Sequence, residues 1–310
     1  MKSSIVLINN PTALRASDRK VEKASRYLTA RGYEVEIFST RQKGDAERYA
    51  REALKKMPSL IIAAGGDGTF NEVINGVEGS EIPMAILPIG TTNVLAKEIG
   101  IPENPEAAME VAINCSPKTV SLGKIVLIQQ DKGNNPPSPP FSKRGVRGFR
   151  YFCLMAGIGF DGEAVFGINE SLKKISGKGA YFFSGIKALS GFNPEELNFN
   201  IDGKSHSGYS AIIGKAAKYG GNFRITPDAK LTEAALYICL LRGKKRSDIL
   251  RYVFGILTGT HLKFKDVDYL KAKSIEIDGK AHIQLDGDYF GTTPARIEVA
   301  PDALKLIYPG

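Results

Sequence analysis

Residues 60–77 read LIIAAGGDGTFNEVINGV, a stretch that joins an apolar run, a glycine-rich segment and a second apolar pattern. Its first five residues form a continuous apolar run, which predicts a buried strand. The glycine-rich segment 65–69 allows the backbone to turn sharply and lets its N–H groups approach an anion closely. Residues 70–77 have the apolar spacing of a helix, whose N-terminus carries the positive end of the helix dipole. The order of strand, glycine turn and helix therefore predicts a phosphate-binding loop.

Two side chains of this loop indicate which ligand it holds. Thr69 offers a hydroxyl, and Asp67 offers a carboxylate that would repel a bare phosphate. A divalent cation between the carboxylate and the phosphates removes that repulsion. The loop therefore predicts a nucleotide–magnesium site, and a glycine-rich turn that binds nothing is the alternative.

The first third of the chain repeats this alternation of strands and helices. Apolar runs predict strands at residues 4–8, 33–38, 60–64 and 82–87. Helical spacing predicts helices at about 17–31, 45–56, 70–77, 93–99 and 105–113. Such alternation implies a mostly parallel sheet with helices on its faces.

Beyond residue 120 the pattern changes to short apolar runs separated by Gly, Asn and Asp, which is typical of an all-β domain. The predicted strands are 124–128, 151–156, 197–201, 209–213, 235–241, 274–277, 282–285, 295–299 and 303–307. Helices are expected at 161–175, 178–189 and 247–257, the last capped by Ser247. Residues 129–150 nearly lack aliphatic side chains and predict a flexible insertion.

Length and composition limit the number of domains and the kinds of partner that the chain can have. A chain of 310 residues is long for one core, so two domains are expected, 1–121 and 122–299. The net charge of +9 favours an anionic partner, either phospholipid or nucleic acid, and a solvated basic face is the alternative. No apolar run is long enough to span a bilayer, and the three separated cysteines suggest neither disulfides nor a metal site. We therefore expect a cytoplasmic protein.

The stretch 63–77 resembles the phosphate-binding loop of the diacylglycerol kinase family, which includes sphingosine and ceramide kinases and bacterial relatives. The resemblance covers nearly the whole chain, including the turn 87–93 (LPIGTTN) and the marker 156–161 (AGIGFD). It implies a two-domain lipid kinase architecture, with an α/β N-terminal nucleotide-binding domain plus a β-sandwich second domain. By the same resemblance, the cleft between the domains holds the reaction, residues 300–310 return to the first domain, and ATP and Mg²⁺ are the cofactors.

The resemblance also assigns residues to the nucleotide. Carried over by their position in the motifs, these are Asn10, Thr12, Thr40, Gly65, Gly66, Asp67, Gly68, Thr69, Asn71, Glu72 and Thr91.

The segment 285–288 (LDGD) resembles the family's Asp-Gly-Glu motif. Phosphoryl transfer to a hydroxyl needs a base that takes up the proton, and the resemblance makes Asp286 or Asp288 that base. Asp-Gly is also a common hairpin turn. The pairs at 202–203 and 278–279, each followed by Lys, predict plain hairpins, whereas the pair at 286–287 predicts a functional turn.

The segment 227–236 (PDAKLTEAAL) resembles the stretch with which bacterial members hold a structural magnesium ion. The implied ligands are the backbone carbonyls of Lys230 and Ala235 and the carboxylate of Glu233, since hard oxygen ligands suit magnesium. An ordinary loop between strands is the alternative.

A lipid substrate implies docking at an anionic membrane surface, so peripheral membrane association is expected. The candidate cationic residues are the run 242–246 (RGKKR), Lys143, Arg144, Arg147, Arg150, Lys173, Lys174, Lys263, Lys265, Lys271 and Lys273. Nucleic acid is not an expected partner, because the sequence has no helix-turn-helix, zinc spacing or aromatic RNA-binding motif. The resemblance also makes a homodimer reasonable.

Two other functions remain open from the sequence. An NAD kinase-like phosphotransferase also uses a Gly-Gly-Asp-Gly-Thr loop, although the downstream motif expected for the nicotinamide side is absent and residues 71–76 (NEVING) favour lipid kinases. A non-catalytic lipid- or nucleotide-binding protein is the alternative from another class. Identifying the phosphate acceptor would distinguish an NAD kinase from a lipid kinase. Detecting any phosphate transfer would exclude a non-catalytic binding protein.

Overall fold

The structure is a computed structural model that describes residues 3–11, 17–128, 148–166 and 194–310. It divides into two compact units. The first comprises Met1–Leu122, Gly220–Asn222 and Pro301–Gly310, and the second comprises Gly123–Tyr219 and Phe223–Ala300. Thr12, the helix predicted at 178–189, the larger part of the predicted insertion and several of the cationic candidates lie outside the described residues.

The first unit alternates strands and helices, as the sequence predicts. Its elements are β1 (Ser4–Asn9), α1 (Ser17–Thr29), β2 (Glu34–Ser39), α2 (Asp45–Leu54), β3 (Leu60–Gly65), α3 (Asp67–Val77), β4 (Met84–Pro88), α4 (Val94–Glu98) and α5 (Pro105–Asn114). The strands lie in the order β2–β1–β3–β4, and each neighbouring pair is parallel. The predicted α/β class of this unit is confirmed.

Burial explains why these strands have continuous apolar sequences. All residues of β3 and β4 and all but the first of β1 are buried, because helices cover both faces of a parallel sheet. Strand β2 lies at the edge and is partly exposed, which accounts for its alternating glutamates. The carboxyl ends of β1, β3 and β4 carry the predicted nucleotide motifs, so the parallel arrangement brings these motifs to one edge of the sheet.

The second unit is built almost entirely from strands. Its elements are β5 (Pro117–Leu127), which begins in the first unit, β6 (Phe149–Phe152), β7 (Met155–Ile158), α6 (Phe160–Phe166), β8 (Leu197–Ile201), β9 (Lys204–Gly208), β10 (Ser210–Gly214), β11 (Lys218–Tyr219), β12 (Phe223–Arg224), β13 (Leu236–Leu241), α7 (Arg246–Thr258), a 3-10 turn (His261–Lys263), β14 (Val267–Ala272), β15 (Ser274–Asp278), β16 (His282–Leu285), β17 (Asp288–Thr292) and β18 (Ala295–Ile307).

Two antiparallel sheets enclose the core of this unit. One has the order β14–β13–β10–β7–β16–β17, and the other contains β18–β15–β8–β9 with β5 and β6. Strand β8 alternates buried and exposed residues, which is typical of a strand with one face on a core. Both sheets contribute to a single apolar cluster, including Phe199 and Ile277 from one sheet and Ile158 and Ile238 from the other. The predicted β-sandwich is confirmed.

Strand β18 belongs to both units. Its first residues pair antiparallel with β15, where Ile297 faces Ile275, and its end pairs parallel with β4, where Leu306 faces Met84. The sequence predicts two strands here, and the structure has one. Residues 301–302 continue the strand through a local bend, in which Asp302 takes a φ of 50°.

The predicted strand at 151–156 was also wrong, since the structure has β6 and β7 with a turn at Cys153 and Leu154 between them. Of the Asp-Gly pairs, 202–203 forms the predicted hairpin between β8 and β9. The pair at 278–279 does not, because it leads from β15 in one sheet to β16 in the other. The pair at 286–287 is a hairpin turn between β16 and β17.

Two helices begin earlier than the sequence predicts. Helix α3 begins at Asp67, three residues before the predicted start. Helix α7 begins at Arg246, and the Asp248 carboxylate accepts the backbone N–H of Lys245 at 3.0 Å, so Asp248 and not Ser247 caps the helix. The short or polar strands β9, β11, β12, β14 and β17 had no apolar run from which to predict them.

Candidate active site

The glycine loop after β3 is tightly folded around Thr69. A Cβ atom at Gly65 would lie 2.4 Å from the Thr69 hydroxyl oxygen, so only glycine fits there. The side-chain amide of Asn10, which follows β1, donates a hydrogen bond to that hydroxyl at 3.1 Å. Two of the residues predicted to contact the nucleotide, Asn10 and Thr69, are therefore in direct contact.

The second glycine turn, after β4, packs against the first. The backbone N–H groups of Ile89 and Gly90 donate to the carbonyl of Gly65 at 2.9 and 3.0 Å. A Cβ atom at Gly90 would lie 2.6 Å from the Cα of Gly66, so the close approach of the two turns requires glycine. Asn93 closes the second turn with a φ of 48° and donates from its amide to the Gly90 carbonyl at 2.8 Å.

Asp67 links the two turns through its carboxylate. Its oxygens accept hydrogen bonds from the backbone N–H groups of Val94 and Leu95 at 2.9 and 3.0 Å, at the start of α4. The sequence predicted only that Asp67 lies beside magnesium. It did not predict this contact, because the two N–H donors lie far along the chain from Asp67.

The residues of the two turns fit a magnesium ion that arrives with a nucleotide. Magnesium in nucleotide sites is commonly held by one or two carboxylates together with substrate phosphates. Asp67 supplies one carboxylate, and no group of three His, Cys, Asp or Glu side chains that could hold a metal occurs within residues 3–11, 17–128, 148–166 and 194–310. Asp67 is the carboxylate of these two turns that would hold the ion, whose charge would neutralise phosphate oxygens.

The remaining residues predicted for the nucleotide differ in their surroundings. Thr40 is buried at the end of β2 and donates its N–H to the Asn9 carbonyl at 2.8 Å. Asn71 is buried and accepts from the Asn75 amide through its carbonyl and its side-chain oxygen, at 2.9 and 3.2 Å. Thr91 is exposed in the second glycine turn.

Glu72 has a structural contact that the sequence did not indicate. Its carboxylate accepts the backbone N–H groups of Gly44 and Ala46 at 2.9 and 3.2 Å, at the N-terminus of α2. A carboxylate in this position satisfies otherwise unpaired donors and stabilises the helix dipole. The assignment of Glu72 to the nucleotide remains a prediction.

Two asparagines near the glycine turns were not predicted as site residues. The side-chain oxygens of Asn9 and Asn93 are buried and have no hydrogen-bond partner within the part of the chain that the structure describes. Buried acceptors without a donor are rare and costly in folded proteins. A ligand or water that donates a hydrogen bond at these turns would satisfy them.

In the second unit, the Asp286–Gly287 turn is fixed by the Asp286 carboxylate. Asp286 and Gly287 have φ values of 48° and 91°, as in the tight turn of a hairpin. The carboxylate oxygens accept the backbone N–H groups of Cys153, Leu154 and Met155 at 3.0, 2.9 and 2.9 Å. These three donors belong to the separate turn that connects β6 to β7. Three N–H donors stabilise the negative charge of the carboxylate.

A chain of polar side chains leads from this turn to the predicted marker at 156–161. The Gln284 side chain accepts the N–H of Gly287 at 2.7 Å and donates to the Asp161 carboxylate at 2.6 Å. The hydroxyl of Tyr219 donates to the other oxygen of Asp161. Burial raises the pKa of Asp161, and the hydrogen bonds from Tyr219 and Gln284 oppose that rise.

The glycine at 157 is required by the same polar chain. A Cβ atom there would lie 1.9 Å from the Asp161 carboxylate oxygen and 2.7 Å from the Gln284 amide nitrogen. The sequence marked Asp161 only as part of a motif, and Gln284 and Tyr219 carried no signal. Asp288 begins β17 opposite Leu285, is half-buried, and lies two residues from Asp286.

The predicted ligands of a structural magnesium ion do not fit a divalent cation. The ammonium group of Lys215, whose side chain is fully buried, donates to the carbonyls of Lys230 and Leu231 at 2.6 and 3.1 Å. Glu233 accepts hydrogen bonds from Lys271 and from Tyr237, the latter at 3.1 Å. A positive charge is thus already bound to the first predicted carbonyl, and a second cation beside it would be repelled.

The charge state of Lys215 reflects competing effects. Burial lowers the pKa of Lys215 to about 8, and the nearby Glu233 carboxylate opposes this shift. The group therefore remains largely an ammonium ion at neutral pH. Ala235, the third predicted ligand, is held by a hydrogen bond from its N–H to the Glu233 carbonyl at 2.9 Å.

Two models of known protein domains match successive segments of the chain. The profile of the diacylglycerol kinase catalytic domain matches residues 4–125, and that of the YegS C-terminal NAD kinase beta sandwich-like domain matches residues 155–308. A Bacillus subtilis protein named diacylglycerol kinase is 29% identical over 296 residues, covering 93% of this chain and 90% of that protein. A Staphylococcus haemolyticus diacylglycerol kinase is 29% identical over 302 residues, covering 95% and 85%.

Solved structures show the same architecture. A crystal structure described as a diacylglycerol kinase from Bacillus anthracis superposes with a TM-score of 0.75 at 25% identity, covering 99% of this chain and 97% of that one. A second Bacillus anthracis structure gives a TM-score of 0.77 at 26% identity, with 99% and 95% covered.

The fold and the glycine loops define a kinase with an α/β catalytic domain followed by a β-sandwich domain. The chain carries a diacylglycerol kinase catalytic domain followed by a YegS C-terminal domain, and the proteins named above resemble it over nearly their full lengths. The kinase family also implies ATP as the phosphate donor.

Proposed function

We propose that this protein transfers the γ-phosphate of ATP, in the presence of Mg²⁺, to the hydroxyl of a membrane lipid such as diacylglycerol or a related lipid alcohol. The observation that carries the proposal is the pair of glycine turns joined by Asp67. This link brings two close-packed glycine turns and the Thr69 hydroxyl together at one edge of a parallel sheet. Such an arrangement suits the phosphates of a nucleotide.

In this proposal the chain's own residues hold the nucleotide and remove a proton. The glycine turns position the phosphates, and magnesium supplies positive charge that offsets the charge of the transferring group. The lipid hydroxyl oxygen forms a bond to the γ-phosphorus while the bond to the leaving ADP oxygen breaks. The hydroxyl proton passes to a carboxylate of the 286–288 turn.

The two acids of this turn differ as candidates for the base. Asp286 accepts three backbone N–H groups, which stabilise its charge and weaken it as a proton acceptor. Asp288 begins the next strand and lies at the same turn. We propose that Asp286 positions the turn and that Asp288 takes up the proton, with Asp286 as the alternative base.

The first experiment is transfer of labelled phosphate from ATP to diacylglycerol, sphingosine, ceramide and phosphatidylglycerol in mixed micelles, with NAD as a further acceptor. Labelling of a lipid that requires Mg²⁺ would support the proposal and identify the acceptor class. Labelling of NAD alone would support an NAD kinase. Absence of any labelled product, with ATP binding intact, would contradict the proposal and favour a binding protein.

Isosteric variants separate the roles of the two acids. We expect Asp288→Asn to lower kcat by about 10²–10⁴-fold, because the amide cannot accept the proton, with little change in thermal stability. Asp286→Asn should lower the melting temperature as well, because its amide group opposes the N–H donors at 153–155. Full activity of Asp288→Asn together with an inactive but stably folded Asp286→Asn would identify Asp286 as the base.

A further inference from the structure

Helix α7 presents an apolar face to solvent. Four large hydrophobic side chains lie at helical spacings of three and four residues and have exposed fractions of 57, 43, 65 and 53%: Leu250, Val253, Phe254 and Leu257. The opposite face of the helix is buried through Ile249, Tyr252 and Gly255. Both faces of α7 are therefore apolar, although only one of them packs on the protein.

A further exposed hydrophobic residue lies on a strand that packs against this helix. Strand β12 packs against α7, and its Phe223 is 41% exposed. Four of the nine large hydrophobic residues exposed within the described ranges lie on α7. Soluble monomers rarely expose apolar side chains in one contiguous patch unless a partner covers it. They make no core contacts in this unit, so the charges around them indicate the kind of partner.

Exposed cationic side chains lie on the segments that flank α7 in the chain and on β12, which packs against it. Exposed examples are Arg224 beside Phe223, Lys244, Lys245 and Arg246 at the start of the helix, and Lys263 and Lys265 beyond its end. The neighbouring acids are paired: Asp266 accepts from Arg251 and Tyr252, and Asp268 lies 3.4 Å from Arg242. Asp248 caps the helix by accepting the N–H of Lys245. The segments that flank α7 are thus predominantly positive.

We infer that α7 docks on an anionic bilayer, with its apolar face entering the boundary between headgroups and acyl chains. Lys244, Lys245 and Arg246 would then contact lipid phosphates. The combination of an apolar stripe and flanking cations is that of an interfacial helix. A second copy of this chain is a poorer fit, because pairing the face with itself would bring like charges together. The inference rests on the proposed function, since a lipid acceptor resides in the bilayer.

The test is cosedimentation of the full chain with vesicles of phosphatidylcholine and phosphatidylglycerol in equal parts, compared with phosphatidylcholine alone. Wild-type protein should bind the anionic vesicles, and rising salt should weaken binding because it screens the cations. Leu250→Ser with Phe254→Ser should reduce binding about tenfold or more, since less apolar surface is buried. Lys244→Gln with Arg246→Gln should reduce it and flatten the salt dependence.

Met57→Ser is the matched control, because Met57 is 82% exposed in the first unit, away from α7 in sequence. It should bind vesicles as wild type does. Vesicle binding that all variants share, or none by wild type, would overturn the inference, as would a wild-type dimer that Leu250→Ser with Phe254→Ser converts to a monomer. Vesicle binding needs neither ATP nor an acceptor, so the kinase assay judges the proposed function separately.

Discussion

Lys215 shows how one residue can replace an expected ion. Its buried ammonium group donates to two carbonyls in the loop where the family resemblance places magnesium. A cation that is part of the chain cannot be removed by a chelator. The fold of this loop should therefore be independent of divalent ions.

We expect EDTA to leave the melting temperature of the wild-type protein unchanged in the absence of nucleotide. Lys215→Met should reduce the free energy of unfolding by about 2 kcal/mol, because two carbonyls lose their donor. Lys230→Met is the control: the side chain of Lys230 is exposed and its carbonyl is kept, so we expect a change within about 0.5 kcal/mol. A melting temperature that falls with EDTA in the wild type would contradict this prediction.

Asp161 should make stability depend on pH. Its folded-state pKa is raised by burial, so the folded protein binds the proton more tightly than the unfolded chain does. The stabilising contribution of the protonated form is complete below the ordinary value of 3.8 and is lost as pH rises through the folded-state pKa. The Asp161→Asn variant has no carboxyl proton at this position, so it serves as a reference that does not titrate there.

We therefore expect the stability of the wild type relative to Asp161→Asn to decrease as pH rises from 4 towards neutrality. Urea unfolding of both proteins at several pH values measures this difference, and groups common to both cancel. A constant difference across this range would show that the pKa of Asp161 is the same in the folded and unfolded states.

Some residues of the site could be predicted from the sequence, whereas their long-range contacts could not. The glycine loop, Asn10 and Thr69 could be assigned from the chain because they lie in recognisable local patterns. The donors to Asp67 and Asp286 lie 27 and about 130 residues away, and only the fold brings them together. Contacts of that kind leave no periodic trace in a sequence.

Helix α2 depends on a side chain from α3. The Glu72 carboxylate accepts two N–H groups at the start of α2, a role distinct from binding a nucleotide. We expect Glu72→Ala to cost about 1–2 kcal/mol of stability, because these donors lose their acceptor. The KM for ATP should stay near the wild-type value if this cap is the main role of Glu72.

Urea unfolding and ATP kinetics measure the two effects separately. Glu52→Gln, which removes one partner of an exposed ion pair within α2, is the control and should change stability by less than about 1 kcal/mol. A large rise in KM for ATP with unchanged stability would instead support the predicted contact of Glu72 with the nucleotide.

Strands could be predicted from the sequence where one or both of their faces are buried. Strands β1, β3, β4 and β8 had such patterns, and the structure has them within one or two residues of the predicted bounds. The break between β6 and β7 could not be predicted, because the intervening N–H groups are satisfied by the distant Asp286. The hairpin strand β17 is short and polar at its start, so it gave no apolar signal.

Both units depend on the last strand. Four buried residues at its end, Ala303, Leu304, Leu306 and Ile307, belong to the first unit. Ending the chain after Ala300 should remove about 5 kcal/mol or more of apolar burial, which approaches the whole stability of a typical domain. We expect this truncated protein to lose its cooperative unfolding transition.

A chain that ends after Ile307 is the matched control. It keeps all of β18 and loses only three residues, including Tyr308, whose ring lies 4.2 Å from the Lys118 ammonium group. Circular dichroism during thermal unfolding should show a wild-type-like transition for this chain. A cooperative transition of the shorter chain would show that the first unit is stable without its final strand.

The double role of β18 also has a consequence for biosynthesis. Residues 1–122 leave the ribosome well before residues 301–310, which complete the same unit. At about 5–20 residues per second, the roughly 180 intervening residues take about 10–35 s to translate. During that interval the side of β4 on which β18 later pairs has no partner from the C-terminal segment. The nascent protein therefore passes through a period in which molecular chaperones would find an incomplete sheet to protect.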